Sequence, residues 1–132
     1  MLTTTRPHPR AADTTIRGAH LRALGLTKTY GMTRALDHID IAIPAGQSVA
    51  VMGPSGSGKT TLLHCLSGIL SPDSGSIELA LPDRTVNVEN LSNEGRAKLR
   101  RQSLGFVFQQ GMLVPELTAV ENTALPLSLI HI

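Results

Sequence analysis

Nine consecutive residues constrain this chain more than any others: Gly53-Pro54-Ser55-Gly56-Ser57-Gly58-Lys59-Thr60-Thr61. They fit G-x-x-x-x-G-K-[ST], a pattern whose backbone cradles phosphate. A polyphosphate needs many donors at close range. Gly53, Gly56 and Gly58 are expected to supply backbone turns with positive φ, where no Cβ blocks the approach of N–H groups. Lys59 brings a cation suited to the β- and γ-phosphates, and the Thr60 hydroxyl suits a Mg²⁺ ligand. A Gly/Ser-rich stretch alone is more often a flexible loop, but the flanks argue otherwise. Residues 48–52 read as a buried strand leading in, and residues 60–67 as a helix leading out. Leu62, Leu66 and Ile69 would share that helix's apolar face. The helix would point the positive end of its dipole at the same anion. Strand, loop and helix together make a nucleotide the expected ligand.

Composition excludes several other classes. A chain of 132 residues can build one small core but not two ordinary domains. Its net charge of +2 is too small to argue for nucleic acid. The single cysteine, Cys65, rules out an internal disulfide and reads as a packed thiol in the helix after the loop. None of the five histidines stands at a metal-ligand spacing with Cys65 or another histidine. No apolar run reaches the roughly 18 residues of a membrane span, so membrane association would come through a partner.

Taken in order, residues 1–18 are rich in Thr, Arg and Pro, with one acid, Asp13, and read as a solvated, disordered basic tail. They lack the apolar core of a secretory signal, and Pro7 and Pro9 spoil a transit-peptide helix. A strand is expected over 21–27, a turn over 28–31, and a half-buried strand over 35–43, where Ile39, Ile41 and Ile43 alternate with Asp40 and Ala42. Pro44, Ala45 and Gly46 turn the chain toward the phosphate loop. Gly68 is a helix stop, and Ser71-Pro72-Asp73-Ser74-Gly75 is a turn. Ile77, Leu79 and Leu81, then Val86 and Val88, alternate as an antiparallel hairpin, since too few residues separate the runs for a parallel crossover. Ser92 caps a helix over 93–102 whose Arg96, Lys98, Arg100 and Arg101 read as a solvated basic face. Residues 104–110 begin as a short buried strand and end in amides. Thr118 with Glu121 forms a capping box, starting a helix at Ala119 that Pro126 should disturb.

With these residues in view, the chain from about 21 to 126 resembles the nucleotide-binding subunit of ABC transporters. The likeness rests on Lys28-Thr29-Tyr30, the phosphate loop with Ser57 and the double Thr60-Thr61, Pro72-Asp73-Ser74-Gly75, and Gly105-Phe106-Val107-Phe108-Gln109. Phe106 to Gln110 with Pro115-Glu116-Leu117-Thr118-Ala119-Val120-Glu121-Asn122 resembles the bacterial branch serving lipoprotein release, macrolide-type export and cell division. The fold implied is α/β: a P-loop NTPase, the N-terminal half of an ABC-type nucleotide-binding domain, with an antiparallel β-subdomain.

The resemblance also assigns roles. Tyr30 would stack on adenine, as a flat π-face suits a flat base; half-buried packing is its alternative. Gln109 would be the family's Q-loop glutamine, contacting Mg²⁺ and the nucleophilic water; a loop amide bonded to local backbone is the alternative. Lys59 and Gln109 would act in catalysis, with Thr60 and Gln109 at the metal. Residues 110–118, with Met112, Leu113, Val114 and Leu117, would face a transmembrane permease. A second ATPase subunit would complete an ATP sandwich. The implied protein binds ATP and Mg²⁺, hydrolyses ATP and sits peripherally on the cytoplasmic face of the bacterial inner membrane. No nucleic-acid partner is expected.

The family also needs a Leu-Ser-Gly-Gly-Gln signature, a Walker B Asp with a catalytic Glu, and a switch His, none of which appears by residue 126. Leu127-Ser128-Leu129-Ile130-His131-Ile132 resembles the translation of a transposase mosaic-end adapter, with a divergent helix end as the alternative. The expected division is therefore a tail (1–18), the N-terminal part of an ATPase domain (19–126) and a non-native end (127–132). A soluble superfamily ATPase of DNA repair or translation is one rival reading. A small P-loop kinase is another, and a fragment that only binds nucleotide weakly, or does not fold stably, is a third.

Overall fold

The computed structural model describes Thr3–Thr4, residues 18–110 and residues 113–130, with only the backbone given for Thr3, Thr4 and 126–130. Its centre is a four-stranded antiparallel sheet in the order β3-β2-β5-β6. β2 (His20–Tyr30) and β3 (Thr33–Ile43) form a long hairpin. The turn lies at Gly31 and Met32, later than the expected 28–31, because Lys28, Thr29 and Tyr30 all pair with β3. Gly31 takes φ 57, which a two-residue connection of this twist favours. β5 (Ser74–Ala80) pairs antiparallel with β2 and with β6 (Thr85–Asn87), so the expected hairpin is present. Val88 leaves the strand for a short 3₁₀ turn (Val88–Asn90) and is buried there.

α1 (Lys59–Leu66) lies against this sheet, burying Leu62, Cys65 and Leu66 at helical spacing. Ile69, expected on that face, is exposed instead. The helix has already ended at Ser67, where Gly68 takes φ 71. The core gathers Leu26, Leu36, Ile41, Ile77 and Leu79 of the sheet with Leu62 and Leu66 of α1, Val88, and Leu99 of α2. α2 (Asn93–Ser103) is capped by Ser92, whose Oγ accepts from the Gly95 N–H at 3.1 Å. Its basic residues are not one solvated face. Arg100 donates to the Gly68 carbonyl at 2.7 Å, and Arg96 donates to Ser71 and Asn93, so these two tie α2 to the end of α1. Lys98 and Arg101 are exposed as expected.

Three expectations fail in related ways. The strand before the phosphate loop is short, β4 (Val51–Met52), and Met52 is exposed. Among the described residues its only ladder partner is β1 (Thr3–Thr4), antiparallel. That pairing departs from a wholly solvated tail; residues 5–17 lie outside the described residues. Residues 104–108 carry no ladder at all, and Phe106, Val107 and Phe108 are exposed rather than buried. A strand needs a neighbour to satisfy its backbone, and no described segment pairs with this one. Third, α3 (Ala119–Ile130) runs through Pro126, which forfeits one backbone donor but does not end the helix. Residues 127–130 continue that backbone, and His131 and Ile132 lie outside the described residues.

Candidate functional site

The loop before α1 is shaped by two glycines. Gly56 and Gly58 take φ 77 and φ 94, while Gly53, expected to do likewise, does not. Gly58 is also sterically obligatory: a Cβ there would lie 2.3 Å from the Ala35 carbonyl oxygen of β3. A turn bond from Ser57 N–H to the Pro54 carbonyl (3.2 Å) closes the loop. The Leu62 N–H bonds the Gly58 carbonyl (2.9 Å) and begins the helix. Lys59 folds back over this turn. Its Nζ donates to the Gly53 and Pro54 carbonyls at 2.7 and 2.6 Å and to Ser57 Oγ at 3.4 Å. The ammonium is thus held at the loop by two neutral carbonyls, with no carboxylate among the described residues neutralising it there. Its charge remains available to an anion seated in the loop.

Lys59 and Thr60 line a groove of about 570 Å³ together with Gln109. Sequence separates Gln109 from Thr60 by 49 positions, and the fold brings them to one cavity. Val49, Val51, Leu63 and residues 106–108 form its apolar walls. The Phe106 and Phe108 rings stack there, 5.7 Å between centroids and 13° between planes. His64 also lines the groove and was missed. Its spacing of four from Thr60, which sets both on one helix face, was the available signal.

Tyr30 is not part of this groove. It closes β2 opposite Thr33, the residue half exposed (50%), and Lys28 Nζ lies 5.6 Å from the ring centroid. The two regions are nevertheless neighbours, since Gly58 abuts Ala35, only two residues along β3 from Thr33. At about 3.3 Å per strand residue that places the hairpin tip one short step from the phosphate loop.

The segment expected to face a partner is also described except for Gly111 and Met112, which lie outside the described residues. Leu113 and Val114 are exposed, whereas Leu117 is half-buried. The capping box forms as expected. Thr118 N–H donates to Glu121 Oε2 (2.8 Å), and Glu121 N–H donates to Thr118 Oγ1 (3.3 Å). The Thr118 backbone N–H, and then its hydroxyl, hold the Glu121 carboxyl below the usual carboxylate range. Asn122, the last residue of the stretch that carries the resemblance, braces this segment in a role the sequence did not assign. Its Nδ2 donates to the Val114, Leu117 and Thr118 carbonyls, and its Oδ1 accepts from the Val114 N–H.

Comparison with known proteins follows the same lines. The family model described as ABC transporter matches residues 36–130. The chain belongs to the ABC transporter family. It is similar to the lipoprotein-releasing system ATP-binding protein LolD of Xanthomonas oryzae pv. oryzae (strain MAFF 311018), 43% identical over 115 residues, which cover 84% of this chain and 46% of that protein. The LolD of Legionella pneumophila (strain Lens) is 48% identical over 94 residues, 71% of this chain and 40% of that protein. Among solved structures, the dimeric post-hydrolysis ATP-binding cassette MJ0796 bound to ADP and Pi aligns with TM-score 0.69 at 34% identity. That alignment covers 83% of this chain and 47% of that one. The fold is therefore that of an ABC-type nucleotide-binding cassette, a P-loop NTPase with an antiparallel sheet. The chain spans about half the length of the ABC transporter relatives it matches. None of these matches supports the small-kinase or the repair and translation readings.

Proposed function

We propose that this chain is the nucleotide-binding part of an ABC transporter ATPase of the LolD-like kind, and that it takes Mg-ATP at the phosphate loop. The observation that carries the reading is the convergence of Lys59, Thr60 and Gln109 on one groove at the start of α1. Loop N–H groups, the Lys59 ammonium and the N-terminal end of α1 would stabilise phosphate charge. Thr60 and Gln109 offer a hydroxyl and an amide oxygen, the hard donors that Mg²⁺ takes, and the ion would neutralise charge on the phosphate oxygens. Gly53, Pro54, Ser55, Gly56, Ser57, Gly58 and Thr61 complete the cradle, and Tyr30 would stack on the adenine at the neighbouring hairpin tip.

In the longer protein, two such subunits would sandwich ATP, hydrolyse it, and drive a membrane permease seated on residues 110–118. Exposed Leu113 and Val114, the latter braced by Asn122, support that seat. As a LolD-like subunit the chain would sit peripherally on the cytoplasmic face of the inner membrane; among the described residues no helix is long and apolar enough to cross a membrane. Among the described residues, the groove's lining contains no Asp or Glu to orient a water as general base. The 132-residue chain should therefore bind ATP without turning it over. Phosphate release assayed with and without Lys59→Ala tests this; repeated turnovers that vanish in the variant would overturn it.

A further inference from the structure

Pro72-Asp73-Ser74-Gly75 is a motif that the proposed chemistry leaves unused, yet it grips the strand end that carries Tyr30. β5 pairs with β2 only as far as Ser74 opposite Thr27, so among the described residues positions 28–30 have β3 on one side and no strand on the other. Asp73 stands where that missing neighbour would be. Its N–H donates to the Thr27 carbonyl at 2.8 Å, and its Oδ2 accepts from the Thr29 N–H at 2.7 Å. Its Oδ1 takes the Lys28 ammonium at 3.1 Å. One residue therefore holds three consecutive positions of β2, the last of them next to Tyr30.

Lys28 and Tyr30 lie two apart and so project from the same face of the strand. The Lys28 side chain is only 16% exposed, and its ammonium reaches within 5.6 Å of the Tyr30 ring centroid, inside the range of a cation–π contact. The carboxylate on one side and the ring on the other leave that ammonium little freedom. A cation over the ring restrains it, and the residue remains half exposed. The Thr29 N–H, and then Lys28, hold the Asp73 carboxyl below its ordinary value. Gly75 lets the chain leave this clamp: it has φ 101, and a Cβ there would meet the Leu24 and Gly25 carbonyls at 2.7 Å.

We propose that Asp73 is a positioning residue for the nucleobase: by fixing residues 27–29 and holding the Lys28 ammonium against the Tyr30 ring, it presets Tyr30 as a stacking face for adenine. This rests on the adenine role of Tyr30, so the experiment separates the two. ATP and inorganic tripolyphosphate are each titrated calorimetrically into the 132-residue chain and into Asp73→Ala, Asp73→Asn and Tyr30→Ala. Tripolyphosphate reads the loop alone, and the ratio of the two affinities reads the base.

Stacking of about 1.4 kcal/mol corresponds to about tenfold in affinity. Tyr30→Ala should lower the ratio by about that factor, and Asp73→Ala by about fivefold, with tripolyphosphate affinity held within about twofold. Asp73→Asn keeps an acceptor for the Thr29 N–H but loses the ion pair, and should fall between Asp73→Ala and the unaltered chain. A purely structural role would weaken both ligands together. An Asp73→Ala that lowers both affinities equally, or neither, overturns the inference while a lowered ratio in Tyr30→Ala leaves the adenine reading standing. An unchanged ratio in Tyr30→Ala overturns the adenine reading itself.

Discussion

The two sides of α1 are built differently. On one side lies the four-stranded sheet, where Leu26, Leu36, Ile77 and Leu79 are fully buried against Leu62 and the ladders run from β3 to β6. On the other side lie β4 and residues 104–108, where Met52 and Phe108 are half exposed and Val107 is 100% exposed. Both sides carry aliphatic and aromatic residues at strand-like spacing. On the second side only β4 has a ladder partner among the described residues, the two-residue β1, and only Val51 and Leu104 reach the core. The contrast shows that a strand's identity lies in its partner as much as in its own residues.

Substitutions should divide along the same line. Leu26→Ala, in the sheet core, should cost about 2–5 kcal/mol in chemical denaturation; a loss below about 1 kcal/mol would erase the contrast. Gly58→Ala joins a positive φ to a Cβ pressed on the Ala35 carbonyl, and should destabilise by more than about 1 kcal/mol while abolishing tripolyphosphate binding. Ser92→Ala, removing the α2 cap, should cost about 1 kcal/mol.

The cap on α3 adds a pH signature. Because the folded Glu121 is held below its ordinary value, its contribution is complete above the unfolded carboxylate's pKa. It is lost as pH falls through the lowered folded value. Helical circular dichroism should decline there in the unaltered chain, and Glu121→Gln should remove that step. Val107→Ser should change stability by less than about 0.5 kcal/mol, since nothing is buried to lose. A large loss there would mean the exposed side is packed in solution.

What could be read from the residues follows the range of the forces involved. The phosphate loop, the Ser92 cap, the Thr118–Glu121 box and the β5–β6 hairpin are each specified by a few adjacent residues, and each is present. Gln109 lines one groove with Lys59 and Thr60, a proximity that family resemblance implies and that spacing along the chain does not encode. Residues 48–52 and 104–108 have the apolar pattern of buried strands, but burial is decided by partners elsewhere in the chain. The hairpin turn moved from 28–31 to Gly31 and Met32 because Asp73, more than 40 positions away, holds Lys28 and Thr29 in line. His64, Asn122 and the Arg100 bond to Gly68 are likewise settled by three-dimensional neighbours.

The central claim is that residues 53–61 form a working nucleotide cradle centred on Lys59. Calorimetric titration of Mg-ATP into the 132-residue chain and its Lys59→Ala variant tests it most directly. The unaltered chain should bind one equivalent, and the variant, with its fold intact by circular dichroism, should lose at least about tenfold in affinity, about 1.4 kcal/mol for a charge-assisted contact to phosphate. Equal binding by the two proteins, or no binding by the unaltered chain, would contradict it.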